Sequence, residues 1–384
     1  MIRGHSIELK PNNVQANYFA RACGVARNAY NWALHEWQRQ YALDKAYRDV
    51  CLVAGVEIDT KKLNKPSQAK LRRELNAIKR ELFPYMLEVT KCAPQLAIMQ
   101  LGDAYHNFFK GLAKYPTSRK KGRDDRFSLS NDQFTIEGKS IRIPKLGWVC
   151  MKELLRFDGK IMSATISKRG GKWFVSVAVE IDNTVKKVVR TGKSVGVDLG
   201  ITDLLVLSDG NKIKAPKPLK ANLKKLRRLN KALSRTQTGS KNREKAKTKL
   251  SRLHYKIRCI RQDALHKITS GLVKTFDMVA IEDLNVKGMV KNRRLSRAIS
   301  DLGFFEFKRQ LIYKANEQGK VVKSVGRFYP SSKTCSSCNH VLGKEEMTLN
   351  RREWVCPACQ MSHNRDFNAS INILNNAMVV LTAA

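Results

Sequence analysis

The spacing of apolar positions changes character along the chain, and the changes divide it. Residues 2–9 alternate weakly and predict one strand. Past Pro11, with Asn12 or Asn13 at the start, Val14, Tyr18, Ala22, Ala26, Tyr30, Ala33, Trp37 and Tyr41 fall on one helical face. A looser charged region runs to Pro66. Ser67 is placed to cap a helix over QAKLRRELNAIKRELF, which stops before Pro84. A third helix is predicted from about Pro94 to Ala113, with Leu96, Leu101, Tyr105, Phe108 and Leu112 on its apolar side. Its aromatics read as core rather than as base-stacking platforms.

After the polar run PTSRKKGRDDR (116–126) the period drops to two. RFSLSND, QFTIEG, KSIRIPKLGWV and GKIMSATISKRGGKWFVSVAVEI read as strands, and Gly170–Gly171 is a strong hairpin signal. The expectation is a helical domain followed by a small antiparallel barrel, to which the N-terminal strand can add. From residue 194 strands and helices alternate, which predicts an α/β region with a mixed sheet. Its strands are SVGVDLGITDLLVLSDG (194–210), TFDMVAIEDLN (275–285) and GKVVKSVGRF (319–328). Its helices are LKKLRRLNKALSR, KNREKAKTKLSRLHYKIRCIRQ, LGFFEFKRQLIYKANEQ and a final amphipathic helix through Ile373.

Charge narrows the function. The 384 residues carry 73 Lys+Arg against 33 Asp+Glu, a formal net charge of +40. Self-repulsion on that scale destabilises a compact state, so a polyanion is expected as partner. No apolar run approaches transmembrane length, which favours nucleic acid over membrane. The N-terminal MIRGHSIELKPNN lacks the apolar core of a signal peptide, and a cytoplasmic location is expected. Residues 212–261 hold nineteen Lys/Arg and a single acid, Glu244. Such a segment reads as a phosphate groove, with Lys224, Lys225, Arg227 and Arg228 as candidate contacts. Cys23, Cys51, Cys92, Cys150 and Cys259 are scattered and are expected to be buried free thiols.

The other four cysteines are patterned. TCSSC, a 17-residue interval and CPAC place Cys335/Cys338 and Cys356/Cys359 on two knuckles, the spacing of a zinc ribbon. Four thiolates close the coordination of one Zn²⁺, so its role is structural. Trp354 and Val355, in the segment between the pairs, suit a small hairpin. Chemistry is expected from carboxylates. Asp198 interrupts an apolar run, where an unpaired carboxylate is costly. Glu282 ends a strand, and Asp366 follows the last cysteine by seven residues. Converging at one sheet edge, these three can hold two Mg²⁺ ions about 4 Å apart for phosphodiester hydrolysis. Asp203 and Asp283 are rival candidates.

GVDLG, IEDLN, the two C-x-x-C pairs and NRDFNAS, in this order, resemble the TnpB family of transposon-encoded RNA-guided DNA endonucleases. NFF (107–109), IPKLGWV (143–149), RQDALHK (261–267), KNRRLS (291–296) and FYPSSKTC (328–335) extend the resemblance over nearly the whole chain. The family is similar to miniature type V CRISPR effectors. The resemblance implies an α/β multidomain fold around an RNase H-like RuvC domain, with Asp198, Glu282 and Asp366 as catalytic triad. It implies a wedge barrel from 1–10 and 124–190 and a helical recognition domain at 11–123. The nuclease would span 191–330, with a basic helical hairpin at 215–270, and resume at 362–384 after a zinc ribbon at 331–361. The implied partners are a guide RNA from the transposon end and double-stranded target DNA, bound by a protein monomer in a prokaryotic cytoplasm. A short transposon-adjacent motif would be read by the helical and wedge domains, with Ser128, Ser130 and Asn131 as candidate readers. The alternatives are a DNA-strand transposase, or a nuclease-dead RNA-guided repressor, against which the intact acids count.

Overall fold

The structure, a computed structural model, describes residues 1–182, 190–343 and 351–382, with the side chains of the last helix described through residue 379. The chain divides into two compact units, 1–183 and 184–384.

The first unit opens with strand β1 (Ile2–Leu9) and a 41-residue helix α1 (Asn13–Val53). Asn12 starts that helix with a capping box. Its side chain accepts from Gln15 N at 2.8 Å, and its own N–H donates to Gln15 Oε1 at 3.0 Å. Tyr18, Ala22, Ala26, Tyr30 and Ala33 are buried as the periodicity predicts, while Val14 and Tyr41 face solvent. The helix continues through much of the stretch expected to be loose. Helix α2 (Gln68–Leu82) is capped by Ser67, and α3 (Cys92–Phe109) ends before Gly111, whose φ of 71° turns the chain away and leaves Leu112 exposed.

Next come β2 (Arg126–Ser130), β3 (Thr135–Glu137), β4 (Ser140–Ile143), β5 (Gly147–Cys150), β6 (Lys160–Arg169) and β7 (Lys172–Glu180). Gly170 and Gly171, both left-handed at φ 58° and 78°, form the tight β6–β7 turn. The larger sheet runs β1-β7-β6-β2, so the N-terminal strand does join, and β3-β4-β5 form a second sheet. The expected closed barrel is not formed among the described residues. β1 and β2 remain the edges of the larger sheet, and one bridge, Leu9↔Met151, links it to the smaller. Helices α1 and α3 share a core with the sheet instead: Phe19 packs 5.1 Å from Trp173 and 6.1 Å from Phe127, ring centre to ring centre. Covering a sheet with apolar helix faces removes the need for closure. Of the scattered cysteines, Cys23, Cys51 and Cys92 are buried as expected, but Cys259 is half-buried and Cys150 exposed. The alternation of β5 turns Cys150 outward.

The second unit contains β8 (Ser194–Leu199), β9 (Leu205–Leu207), β10 (Lys212–Ile213), α4 (Pro218–Ala221), α5 (Leu223–Ser234) and α6 (Lys241–Thr275). It continues with β11 (Met278–Glu282), α7 (Val286–Met289), α8 (Ser296–Leu302), α9 (Phe304–Glu317) and β12 (Val321–Val325). Last come β13 (Glu353–Val355), β14 (Ser362–Asn364) and α10 (Arg365–Thr382). The main sheet has the order β10-β9-β8-β11-β12; β8, β11 and β12 are parallel, and the first two strands antiparallel. Val195, Val197, Val279 and Ile281 pack with Leu265, Leu272, Phe307 and Leu311 of α6 and α9. The opposite face takes α10, where Ala280 and Val325 meet Ile373 and Ala377.

This second layer is close enough to require glycine. A Cβ at Gly196 would lie 2.0 Å from the Ser370 carbonyl oxygen and 2.8 Å from Leu374 N. Gly271, in α6, has open space where its Cβ would be. Gly196→Ala is therefore expected to cost at least about 2 kcal/mol of unfolding free energy by overpacking. Gly271→Ala is expected to gain about 0.5–1 kcal/mol from helix propensity. Denaturant melts of the two variants check both signs.

Candidate functional site

Strand alternation decides where the acids point. Val195 and Val197 face α6 and α9, so Gly196 and Asp198 face α10. On β11, Val279 and Ile281 face α6 and α9, which turns Ala280 and Glu282 toward α10. Ile281 pairs with Val197 in the parallel β8–β11 ladder, so the next residues, Asp198 and Glu282, end neighbouring strands side by side. Asp366, in the first turn of α10, comes to the same place from the other layer. All three line one cavity of about 300 Å³, together with Asp203, Ser331, Arg352 and Arg365.

Each carboxylate has a different environment. Burial, then the negative charges of Glu282 and Asp366, push the Asp198 carboxyl up to about 7; Arg365 and Arg352 oppose the rise. Glu282 Oε1 accepts a hydrogen bond from the Ser331 hydroxyl. Arg352 Nη1 reaches both oxygens of Asp366, at 3.0 and 2.7 Å. Asp203 Oδ1 is buried without a hydrogen-bond partner, while neighbouring Lys217 donates to the carbonyls of Ile201 and Thr202 at 2.8 and 3.4 Å. Asp283 does not line the cavity. Lys308 and Arg327, each 2.9 Å away, engage it and hold its carboxyl below the usual range. Of the two rivals, only Asp203 joins the three acids.

The donor set of the cavity is all hard oxygen, with one orphaned carboxylate oxygen and one carboxyl that burial and its acidic neighbours push up to about 7. That fits divalent cations that prefer oxygen, such as Mg²⁺. The oxygens are less tightly gathered than the cysteine sulfurs. Among the described residues, Cys335, Cys338, Cys356 and Cys359 alone form a group of potential ligands all within 4.8 Å of one another. Ser331 and Arg352 engage Glu282 and Asp366 individually instead.

The four thiols fit zinc. Cys335 and Cys359 lie 3.6 Å apart, as do Cys338 and Cys356. Each knuckle repeats one turn: Asn339 N donates to Cys335 O and Gln360 N to Cys356 O, both at 2.9 Å, with Asn339 and Gln360 left-handed at φ 61° and 60°. Trp354 and Val355 do lie in a hairpin, but β13 pairs with β14 across the second knuckle rather than within the segment between the pairs. Residues 344–350 of that segment lie outside the described residues. The sequence reading missed His363, whose Nε2 is 3.0 Å from Cys335 Sγ and whose ring packs 4.7 Å from that of Trp354. It also missed Ser331 and Arg352, although Ser331 lies in the FYPSSKTC motif.

The candidate nucleic-acid residues are dispersed. Lys224, Lys225, Arg227 and Arg228 are exposed on α5, whose Leu226 packs on Leu253 and Ile257 of α6. In the first unit, Ser128 lines a cavity of about 750 Å³ with Gln100, Thr165, Arg119, Lys120, Arg123 and Arg126. Gln100 Nε2 donates to Ser128 Oγ at 3.0 Å, and Arg119 donates to Gln100 Oε1 at 2.8 Å while its guanidinium lies 3.8 Å from the centre of the Tyr30 ring. Ser130 touches Cys92 Sγ at 3.4 Å, Asn131 is exposed, and neither lines this cavity.

Three family models match: "Helix-turn-helix domain" at residues 1–46, the IS605 OrfB "Probable transposase" at 175–293, and the Cas12f1-like TNB domain at 304–373. A "Putative RNA-guided DNA endonuclease" of Streptomyces pristinaespiralis is 35% identical over 381 residues, spanning 97% of this chain and 88% of its own. The chain belongs to the TnpB family. The "Putative RNA-guided DNA endonuclease InsQ" of Escherichia coli K12 is 30% identical over 396 residues, covering 99% of this TnpB chain and 93% of InsQ. A solved Cas12f1–sgRNA–target DNA complex aligns with a TM-score of 0.56 at 15% identity, over 95% of this chain and 83% of Cas12f1, a likeness of fold. The helix-turn-helix description does not suit this TnpB protein, in which residues 1–46 form β1 and most of one unbroken helix.

The raised Asp198 carboxyl gives the metal-free chain a pH dependence. The unfolded chain releases this proton near its ordinary 3.8, and the folded chain keeps it to about 7. The folded state binds more protons across that window, so this group's contribution makes stability fall as pH rises through it. Melting temperature in buffer free of added Mg²⁺ and of chelator is expected to drop from about pH 5 to about pH 8 less steeply in Asp198→Asn than in the parent.

Proposed function

We propose that this TnpB protein is an RNA-guided DNA endonuclease that cuts with Asp198, Glu282 and Asp366 in an RNase H-like RuvC domain using two Mg²⁺ ions. The observation that carries the reading is the meeting of these acids, from β8, β11 and α10, in one cavity of a chain with net charge +40. The five-stranded mixed sheet, with acids at the ends of adjacent parallel strands, supports the RuvC assignment. Bound there, the cations would activate water and stabilise the leaving 3′ oxygen. The protein's part is to hold the carboxylates. Asp198 in its ionised form, Glu282 oriented by Ser331, and Asp366 would hold the cations, and Arg352, which pairs with Asp366, stands at the same cavity as a cation for a phosphate. A repressor without nuclease activity would have no use for this costly gathering of like charges.

The rest of the chain divides as the family pattern implies: wedge at 1–10 and 124–190, recognition at 11–123, nuclease at 191–330 and 362–384. One Zn²⁺ at Cys335, Cys338, Cys356 and Cys359 folds the ribbon at 331–361, which acts on target nucleic acid. The α5–α6 hairpin grips phosphates of the guide RNA and its paired target. The adjacent motif is read in the cavity of the first unit, where Ser128 and Gln100 offer hydrogen-bonding edges and the arginines offer charge. Base pairing supplies the long-sequence specificity, while the protein holds the heteroduplex by backbone and shape.

Rewriting the guide is expected to redirect cutting to a matching target, provided the adjacent motif is kept. Changes to residues around metal ligands cost about 10–100-fold, so loss of a ligand itself is expected to exceed ~100-fold. Asp198→Ala, Glu282→Ala and Asp366→Ala are thus each expected to stop cleavage while retaining guide and target binding. Cutting that ignores the guide, or persists in the triple-alanine variant, refutes the reading.

Alanine at Lys224, Lys225, Arg227 and Arg228 is expected to weaken RNA binding. The slope of log affinity against log salt is expected to fall by about 0.7–0.9 for each phosphate no longer neutralised. An unchanged slope, from binding measured across a salt series, makes the helix a solvated face.

A further inference from the structure

Glu282 has two oxygens to offer the cavity, and the Ser331 hydroxyl already engages one, Oε1. Ser331 is only 5% exposed, and its place is fixed from behind. Its carbonyl accepts from Asn372 Nδ2 at 2.8 Å, and the same nitrogen donates to Thr334 O at 2.6 Å. One turn earlier on α10, Asn368 donates to Thr334 O at 2.7 Å and accepts from Ser336 N at 2.9 Å. Both asparagines are 1% exposed. They clamp residues 331–336, the stretch that carries Cys335 and the first zinc knuckle, onto the helix that begins with Asp366.

Buried amides are retained where their hydrogen bonds are met, and these are met by backbone groups. The clamp would be complete without the Ser331 hydroxyl, since it uses that residue's carbonyl. The hydroxyl is free to serve another purpose, and it reaches Glu282. We infer that Ser331 is a positioning residue for cleavage: it ties Oε1 of Glu282 so that Oε2 is presented to the cation, and the zinc knuckle, through Asn368 and Asn372, sets where Ser331 stands. This rests on the nuclease reading above. It makes the ribbon part of the cutting site as well as a module for nucleic acid.

The test uses the full chain loaded with guide RNA. Cleavage rate is measured across a Mg²⁺ series for the parent, Ser331→Ala and Ser331→Thr, and Mn²⁺ affinity is measured by electron paramagnetic resonance before target is added. Ser331→Ala is expected to raise the half-saturating Mg²⁺ concentration and weaken Mn²⁺ binding by about 10–100-fold, the usual cost of losing a partner of a metal ligand. The rate at saturating Mg²⁺ is expected to recover most of its parental value, and Ser331→Thr, which keeps the hydroxyl, to restore the curve. Asn372→Ala is expected to shift the Mg²⁺ curve in the same direction, less than additively with Ser331→Ala. Unchanged Mg²⁺ and Mn²⁺ curves in Ser331→Ala, with or without a lower melting temperature, overturn the inference. Glu282→Ala separates the two levels. If it still cuts, the nuclease reading falls; if it is inactive while Ser331→Ala titrates like the parent, only the role of Ser331 falls.

Discussion

The second unit depends on how closely the backbone of α10 can lie against β8. Only a residue without a side chain permits that approach, and Gly196 supplies it at the midpoint of the strand. The contact fixes the height of the helix above the sheet and so the position of its first turn. Asp366 therefore reaches the ends of β8 and β11. A side chain at position 196 would push α10, and Asp366 with it, away from the sheet edge that carries Asp198 and Glu282.

Electrostatics works against that geometry and is balanced locally. In a strongly basic chain, acids are scarce, yet four of them line one small cavity. Their mutual repulsion is met by several means. Asp198 holds its proton to higher pH, Asp366 borrows Arg352, and Glu282 takes a neutral hydroxyl. Asp203 has one oxygen with no donor at all. Asp283, beside them in sequence, shows the alternative: two surface cations neutralise it, and it takes no part.

Local signals were the legible ones. The Asn12 and Ser67 caps, the Gly170–Gly171 turn and the paired cysteines each act within a few residues, and each was readable from the string. The alternation that turns Asp198 and Glu282 to one face was readable too, because strand geometry has period two. What escaped depended on contacts between distant segments. Barrel closure failed because α1 and α3 supplied the apolar cover, which no strand pattern reveals. Helix α1 outran its apolar stripe because helical hydrogen bonds continue without a buried face. Ser331, Arg352 and His363 are ordinary polar residues in sequence and acquire meaning only beside Glu282, Asp366 and Cys335.

The asparagine clamp has a consequence for the order of events during synthesis. Asp198 and Asp366 lie far apart along the chain, with the basic hairpin and the ribbon between them. A ribosome makes the basic helices α5 and α6 well before it makes α10, and non-local pairings of this kind form late. While α10 is still unmade, Thr334 O and Ser336 N lack their asparagine partners, and the third acid has no helix to stand on. On the proposed function, a nascent chain would hold RNA before it could cut DNA. The fold itself imposes that delay.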